Sequence, residues 1–127
     1  YDNVNIGCTV ENQKIADYRL PLFLSHPIKR RFIACAPLLE AIDLSPYLYG
    51  VEHVTVGGET GREARECDYD WVLNIREQCV KANVTFWFKN TGSFFKQKGI
   101  VEKVNPYKQN SLARELGIDI SDGKRLF

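Results

Sequence analysis

The alternation of apolar and polar positions divides this chain into strands and helices that take turns. Val4-Asn5-Ile6-Gly7-Cys8-Thr9-Val10 alternates and is β-branched, the pattern of a strand. Asn12 then stands where a helix N-cap belongs, and Ile15, Tyr18 and Leu22, with Leu20 and Phe23 near them, predict an apolar helix face that Pro21 bends or interrupts. Ser25-His26-Pro27 ends that element. Arg31 to Cys35 predicts a second strand stopped by Pro37, and Leu38 to Tyr49 a loop with one helical turn at Ser45-Pro46. A third strand, Val51 to Val56, runs into the glycine- and charge-rich loop Gly57 to Asp68. Asp68 or Asp70 caps a helix bearing Trp71, Val72, Ile75, Cys79 and Val80, and Asn83 suits its left-handed end. The fourth strand, Val84 to Lys89, is rich in aromatics and is broken by Asn90-Thr91-Gly92. Residues 93–106 read as irregular or as a weak hairpin, and Ser111 to Leu116 as a short helix ended by Gly117. The tail from Asp119 is polar and expected to be mobile, with Leu126 and Phe127 as candidates to dock.

Strands alternating with helices predict an α/β fold with a parallel sheet, because crossovers of one hand return each strand to the same direction. Four such β/α units make half of an eight-stranded barrel. A half barrel has open edges that invite pairing, so either homodimerisation or a missing other half is expected. Residues 1–106 would form this half-barrel domain, and 107–127 a short C-terminal helix and tail.

Composition narrows the partners. The net charge of +1, with 26% charged residues, gives no overall electrostatic argument for nucleic acid or an anionic membrane. No run approaches the roughly 18 apolar residues of a membrane span. Cys8, Cys35, Cys67 and Cys79 contain no CxxC pair, which argues against a disulfide framework or zinc site and for buried thiols in a reducing cytoplasm. The chain has no methionine, so Tyr1 is not a translation start and a longer parent protein is expected.

Ligands meet parallel sheets at the carboxyl ends of the strands. Gly57, Gly58 and Glu59 follow the third strand. Two glycines let a ligand approach the backbone, and their N–H groups can hold a carboxylate or phosphate. The plainer reading is a tight turn with an exposed Glu59. Glu11 and Asn12 follow the first strand and either face the same pocket or serve as a solvated residue and a helix cap. Arg65 either clamps an anion bidentately or pairs with Glu59 or Asp68. Lys89 ends the fourth strand and either binds an anion or reaches solvent. Trp87 and Phe86 are expected to pack in the core, and His53, amid valines, reads as a hydrogen-bonded core or edge residue rather than a base. Lys29-Arg30-Arg31 reads as a solvated strand entry.

Five separated segments carry a resemblance. Asn5 to Asn12 looks like an "LGVSVEN" strand end, and Arg31 to Leu39 is similar to "RFLSVEPLL". Val56 to Gly61 with Ala64-Arg65 matches "VGGESG…AR". Asp70-Trp71-Val72 with Arg76, Gln78 and Cys79 matches "DWVRSLRDQC", and Phe86 to Lys89 with Gly92 is like "FFFKQWG". Over residues 3 to 92 the chain therefore resembles a phage-related family of uncharacterised radical-SAM-like proteins. The resemblance implies the C-terminal half of a TIM-like, radical-SAM-type barrel. It implies an upstream cysteine cluster holding an iron–sulfur cluster, with S-adenosylmethionine as cofactor in the full-length parent and neither held by this chain alone. In radical-SAM enzymes a Gly-Gly-Glu motif holds the amino group of S-adenosylmethionine, although usually in the first half of the barrel. Glu11, Glu59, Arg65 and Lys89 would then hold substrate, and the isolated chain would be inactive. The alternative is a phage-derived module that binds a nucleotide or anion, or homodimerises, without catalysis. One departure is that Ala36 stands where the family has a Glu before Pro-Leu-Leu.

Overall fold

The fold is described from a computed structural model covering residues 4–121. The expectations for Leu126 and Phe127 lie outside the described residues. Strands β1 (Asn5–Thr9), β2 (Arg30–Cys35), β3 (His53–Gly57) and β5 (Thr85–Asn90) form one parallel sheet in the order β1-β2-β3-β5. Their carboxyl ends therefore all lie along one side. The predicted α/β class and the parallel sheet are both present. The four strands do not close into a barrel.

Alternation and register give the sheet two unlike faces. On one, Ile33, Cys35, Val54, Val56, Phe86 and Phe88 are fully buried, in one core with Ala16 and Leu20 of helix α1 (Gln13–Ser25) and Val72, Ile75 and Cys79 of helix α2 (Tyr69–Ala82). Each such aliphatic or aromatic side chain contributes roughly 1.5–3 kcal/mol of burial free energy. The other face carries Gly7, Phe32, His53 and Thr85 in one row and Thr9, Ala34, Thr55 and Trp87 in the next. It is smaller in side chain and more polar. His53 is buried there as expected, its Nδ1 2.7 Å from Thr85 Oγ1 and its Nε2 2.9 Å from Thr55 Oγ1.

The two helices match their predicted patterns unequally. In α2 the Asp68 side chain accepts from the Asp70 N–H at the N-terminus, Asn83 closes the helix at φ 58°, and Val72, Ile75 and Cys79 form the buried stripe. In α1 the predicted face is right in part: Leu20 is buried and Ile15 and Phe23 pack against the core, but Tyr18 and Leu22 do not. Tyr18 is 80% exposed and Leu22 65% exposed, while Ala16 and Leu20 face the core. A small residue at 16 lets the helix lie close to the sheet, which turns the bulkier side chains outward. Pro21 does not interrupt α1. It sits within the helix, and its missing N–H leaves only the carbonyl of exposed Asp17 without a helical donor, which water can supply.

Arg31 differs from the predicted solvated entry. Its guanidinium donates to the carbonyls of Gly50, Leu24 and His26 and ties β2 to the end of α1 and to the 3-10 helix Ser45–Gly50. Of the two readings of residues 93–106, irregular or a weak hairpin, the hairpin is the one present. Strands β6 (Phe94–Gln97) and β7 (Ile100–Lys103) form an antiparallel hairpin. Its turn residues Lys98 and Gly99 both have positive φ, 53° and 77°, as a primed two-residue turn requires. β6 also pairs in parallel with the two-residue strand β4 (Cys67–Asp68). Helix α3 (Gln109–Glu115) begins two residues before the predicted one and packs on β5. Beyond it, Ile120 exchanges both backbone hydrogen bonds with Phe86, and the Asp119 carboxylate accepts from the Phe88 N–H. That short segment occupies the β5 edge, whereas Val4 and Ile6 stay exposed at the β1 edge. No helix among the described residues is long and apolar enough to cross a membrane.

Candidate functional site

Three of the predicted residues converge where β3 and β5 end. The Gly57-Gly58-Glu59 backbone leaves β3 beside Asn90-Thr91-Gly92, and the two segments are in van der Waals contact. A Cβ on Gly58 would lie 2.5 Å from the Thr91 carbonyl oxygen and 2.7 Å from the Gly92 Cα. One on Gly92 would lie 2.8 Å from the Glu59 carbonyl oxygen. The glycine pair therefore admits a neighbouring stretch of this chain's backbone, not a ligand, on that side. The predicted ligand approach through Gly58 is closed there.

Polar contacts finish this clasp. The Gly58 N–H donates to the Asn90 carbonyl and to Asn90 Oδ1, which also accepts from the Gly92 N–H. The Ser93 N–H donates to the Glu59 carbonyl, and Ser93 Oγ accepts from the Gly61 N–H. Gln109, buried at the start of α3, accepts from Thr60 Oγ1 at 2.9 Å and donates to Ser93 Oγ and the Val104 carbonyl. Asn90, Ser93 and Gln109 were not among the predicted site residues. Asn90 read only as a strand breaker, and nothing local marks Gln109 as the partner of a threonine 49 positions away.

The other end of the loop is held by charge. Arg65 donates from its backbone N–H and Nε to Glu59 Oε1, at 2.8 and 3.0 Å, and from Nη2 to Oε2 at 2.7 Å. Of the two readings offered for Arg65, pairing with Glu59 is the one present. These donors lower the Glu59 carboxyl to about 2 and raise the guanidinium above its usual value. Glu59 is thus ionised at any ordinary pH, with both oxygens engaged. Three donated bonds run to one carboxylate, and the Arg65 side chain is otherwise exposed, so its outer N–H edge faces solvent. A depression of about 720 Å³ lined by Arg62 and Glu63 lies in the same loop.

The remaining candidates stand apart. Asn12 caps α1, its Oδ1 accepting from the Ile15 N–H at 2.9 Å, so the cap reading of this residue is the one present. Glu11 is half-buried after β1, and its carbonyl accepts from the Leu39 N–H. Lys89 is exposed at the end of β5, beside the register shift between Val56 and Gly57, and its carbonyl accepts from Asn110 Nδ2. Ala36 follows β2 and lies against Gly57: a Cβ built there would be 3.6 Å from the Ala36 Cβ. A Glu at position 36 would therefore project beside the Gly57 turn.

The thiols do not suit a metal cluster. Cys35, Cys67 and Cys79 are buried and unbridged; burial pushes Cys67, further raised by Asp68, and Cys79 up to about 12, and Cys35, also raised by Cys79 and Cys8, higher still. Iron–sulfur clusters take several convergent thiolates. No group of three His, Cys, Asp or Glu side chains able to hold a metal occurs among the described residues. Both oxygens of Glu59 already accept from Arg65.

A family model matches residues 1–122. The chain belongs to that family, a group of proteins of unknown function (DUF5131). No match was found among curated proteins or among solved structures.

Proposed function

We propose that the chain is the substrate-side part of a radical-SAM-like enzyme of phage origin, corresponding to the C-terminal half of an open, TIM-like barrel. The observation that carries this reading is the Glu59–Arg65 pair at the carboxyl end of a parallel sheet, where α/β enzymes collect their ligands. Glu59 acts as a positioning carboxylate. It fixes the guanidinium plane, and the free edge of Arg65 is left to meet a substrate phosphate or carboxylate. Lys89 at the end of β5 and Glu11 after β1 stand apart from this pair along the same carboxyl side of the sheet, where they would meet other parts of a substrate.

The five motifs supply the radical-SAM likeness, and the half-polar sheet face supports a barrel reading. An iron–sulfur cluster with S-adenosylmethionine would supply radical chemistry from outside this chain, whose thiols do not fit the cluster. No reaction step is assigned to these residues beyond holding and orienting substrate. A second reading, a binding module without catalysis, is favoured by the same pair, since it needs nothing beyond Arg65.

Two measurements test the proposal. The gene product extended upstream, purified without oxygen, is expected to carry iron and sulfide and to cleave S-adenosylmethionine on reduction. An iron-free protein after reconstitution leaves the binding module. Calorimetric titration of the 127-residue chain with inorganic pyrophosphate is expected to show binding that R65A removes. Equal binding by wild type and R65A would overturn the role given to Arg65.

A further inference from the structure

The overall charge of +1 hides a strong local imbalance. Between Lys89 and Arg114 stand six basic residues and one acidic residue, Glu102, a net of +5, so the rest of the chain is acidic. The fold carries this basic stretch on the β6–β7 hairpin, the turn into α3 and the end of β5. Lys98 lies at the tip of the β6–β7 hairpin, and Lys103 at its base, opposite Phe94. Lys108 stands at the start of α3, and Lys89 lies where Asn110 of α3 meets β5. Lys98, Lys103, Lys108 and Lys89 are all exposed. Among the described residues the hairpin's ion pair is Lys96 with Glu66, at 4.0 Å, and these four lysines take part in none.

Aromatic rings are interleaved with these charges. Cross-strand register puts Phe94, Lys96, Val101 and Lys103 on one hairpin face, and Phe94 is half-buried there. Tyr107 precedes Lys108 and is 94% exposed, with no ring partner among the described residues. An exposed aromatic of that size beside unpaired lysines contributes nothing to this core and much to a partner with flat faces and spaced negative charge.

We infer that the β6–β7 hairpin and the turn into α3 form a docking surface for single-stranded nucleic acid. Lys98, Lys103, Lys108 and Lys89 meet phosphates, and Tyr107 stacks on a base. Phosphate contacts give sequence-independent affinity, and base–aromatic stacking adds to it without selecting a sequence. An anionic membrane would meet the same lysines, and Ile100, 72% exposed near the hairpin tip, offers it an apolar contact. The exposed Tyr107 ring favours the nucleic acid: it stands in the turn into α3, past the hairpin base where the Val104 N–H donates to the Ser93 carbonyl, and not beside Ile100 near the tip. The inference rests on this charge pattern and stands whether or not Arg65 binds a substrate.

The test is fluorescence anisotropy of a labelled mixed-sequence 20-nucleotide single strand with the 127-residue chain, at rising potassium chloride. With four phosphate contacts, affinity is expected to fall about 50-fold between 50 and 200 mM salt. The K98E/K103E/K108E variant, all at exposed positions, is expected to lose binding while its circular dichroism is unchanged. Y107A is expected to weaken binding to the oligonucleotide but not to heparin, which has charge and no bases. Three results would overturn the inference: no binding at 50 mM salt, unchanged binding by the triple variant, or equal loss of heparin and oligonucleotide binding in Y107A. Tight binding to phosphatidylserine vesicles with none to the oligonucleotide would do the same and assign the surface to a membrane.

Discussion

The two ends of the loop between β3 and β4 are held by different physics. At Gly58 and Glu59 the backbone lies against Thr91 and Gly92 with no room for a methyl group between them, and its polar groups are matched by Asn90 and Ser93. From Gly61 to Arg65 the chain stands in solvent, and one ion pair returns it to Glu59. The first end is a rigid base that a substitution must break. The second is an adjustable arm, since exposed ion pairs add little stability and yield to salt. A binding loop benefits from both: a fixed origin for Glu59 and a guanidinium that can re-aim.

The largest effects should come from breaking the base. G58A and G92A each put a methyl group within 2.8 Å of backbone atoms, and Gly92 also sits at φ 74°, where L-residues are strained. Backbone cannot swing aside as a side chain does. Each substitution is expected to cost about 2–3 kcal/mol, the upper part of the overpacking range, read as a lower urea midpoint. G61A is the control within the same loop. Its Cβ would meet nothing within 4 Å, so only its φ of 133° opposes it, and its loss should be the smaller one. Equal losses at 58 and 61 would show that the close approach is not what holds the base.

Next comes Gln109. Q109L keeps the volume but removes the acceptor for Thr60 Oγ1 and the donors to Ser93 Oγ and the Val104 carbonyl. Leaving such buried groups unmatched costs about 1–3 kcal/mol. Hydrogen exchange should accelerate at Gly61 and Ser93 and stay unchanged across α1, because the damage is confined to the clasp.

The contrast also explains how much was legible in the sequence. Periodicity located the four parallel strands and α2: β2, β3 and β5 bury alternate residues, and α2 buries a regular stripe and carries its own caps. The face of α1 was only half legible: Ile15, Leu20 and Phe23 pack on the core as read, but Tyr18 and Leu22 are large and outside, while Ala16 is buried. Size in a sequence shows capacity for burial, not its direction. At the site, Glu59 and Arg65 were paired correctly because six positions of chain separate them. Gly57-Gly58 marked the right place for a different reason from the one predicted: the backbone that needed their space lies over thirty positions further on. The clasp formed by Asn90, Ser93 and Gln109 depends on contacts that no local pattern encodes.

Acid should loosen the arm while leaving the base in place. Glu59 is lowered from its ordinary value near 4.5 to about 2 by the Arg65 donors. A carboxyl depressed on folding favours the closed loop above its unfolded value and loses that contribution as pH falls from about 4.5 towards 2. The salt of the buffer should shift the same transition, because the pair is exposed.

The smallest effect on the fold is expected from E59Q, which removes the charge and keeps the shape. The global urea midpoint should move little, since water screens an exposed pair and leaves it little net worth. The order of Arg65 should change more. Gln offers one acceptor where the carboxylate offered two, so the bidentate geometry is lost. If the arm's function is to aim the guanidinium, pyrophosphate affinity in E59Q should fall even though Arg65 gains freedom from a competing anion. A rise in affinity would show instead that Glu59 competes with the ligand, and the pair would then be a latch to be opened rather than a mount.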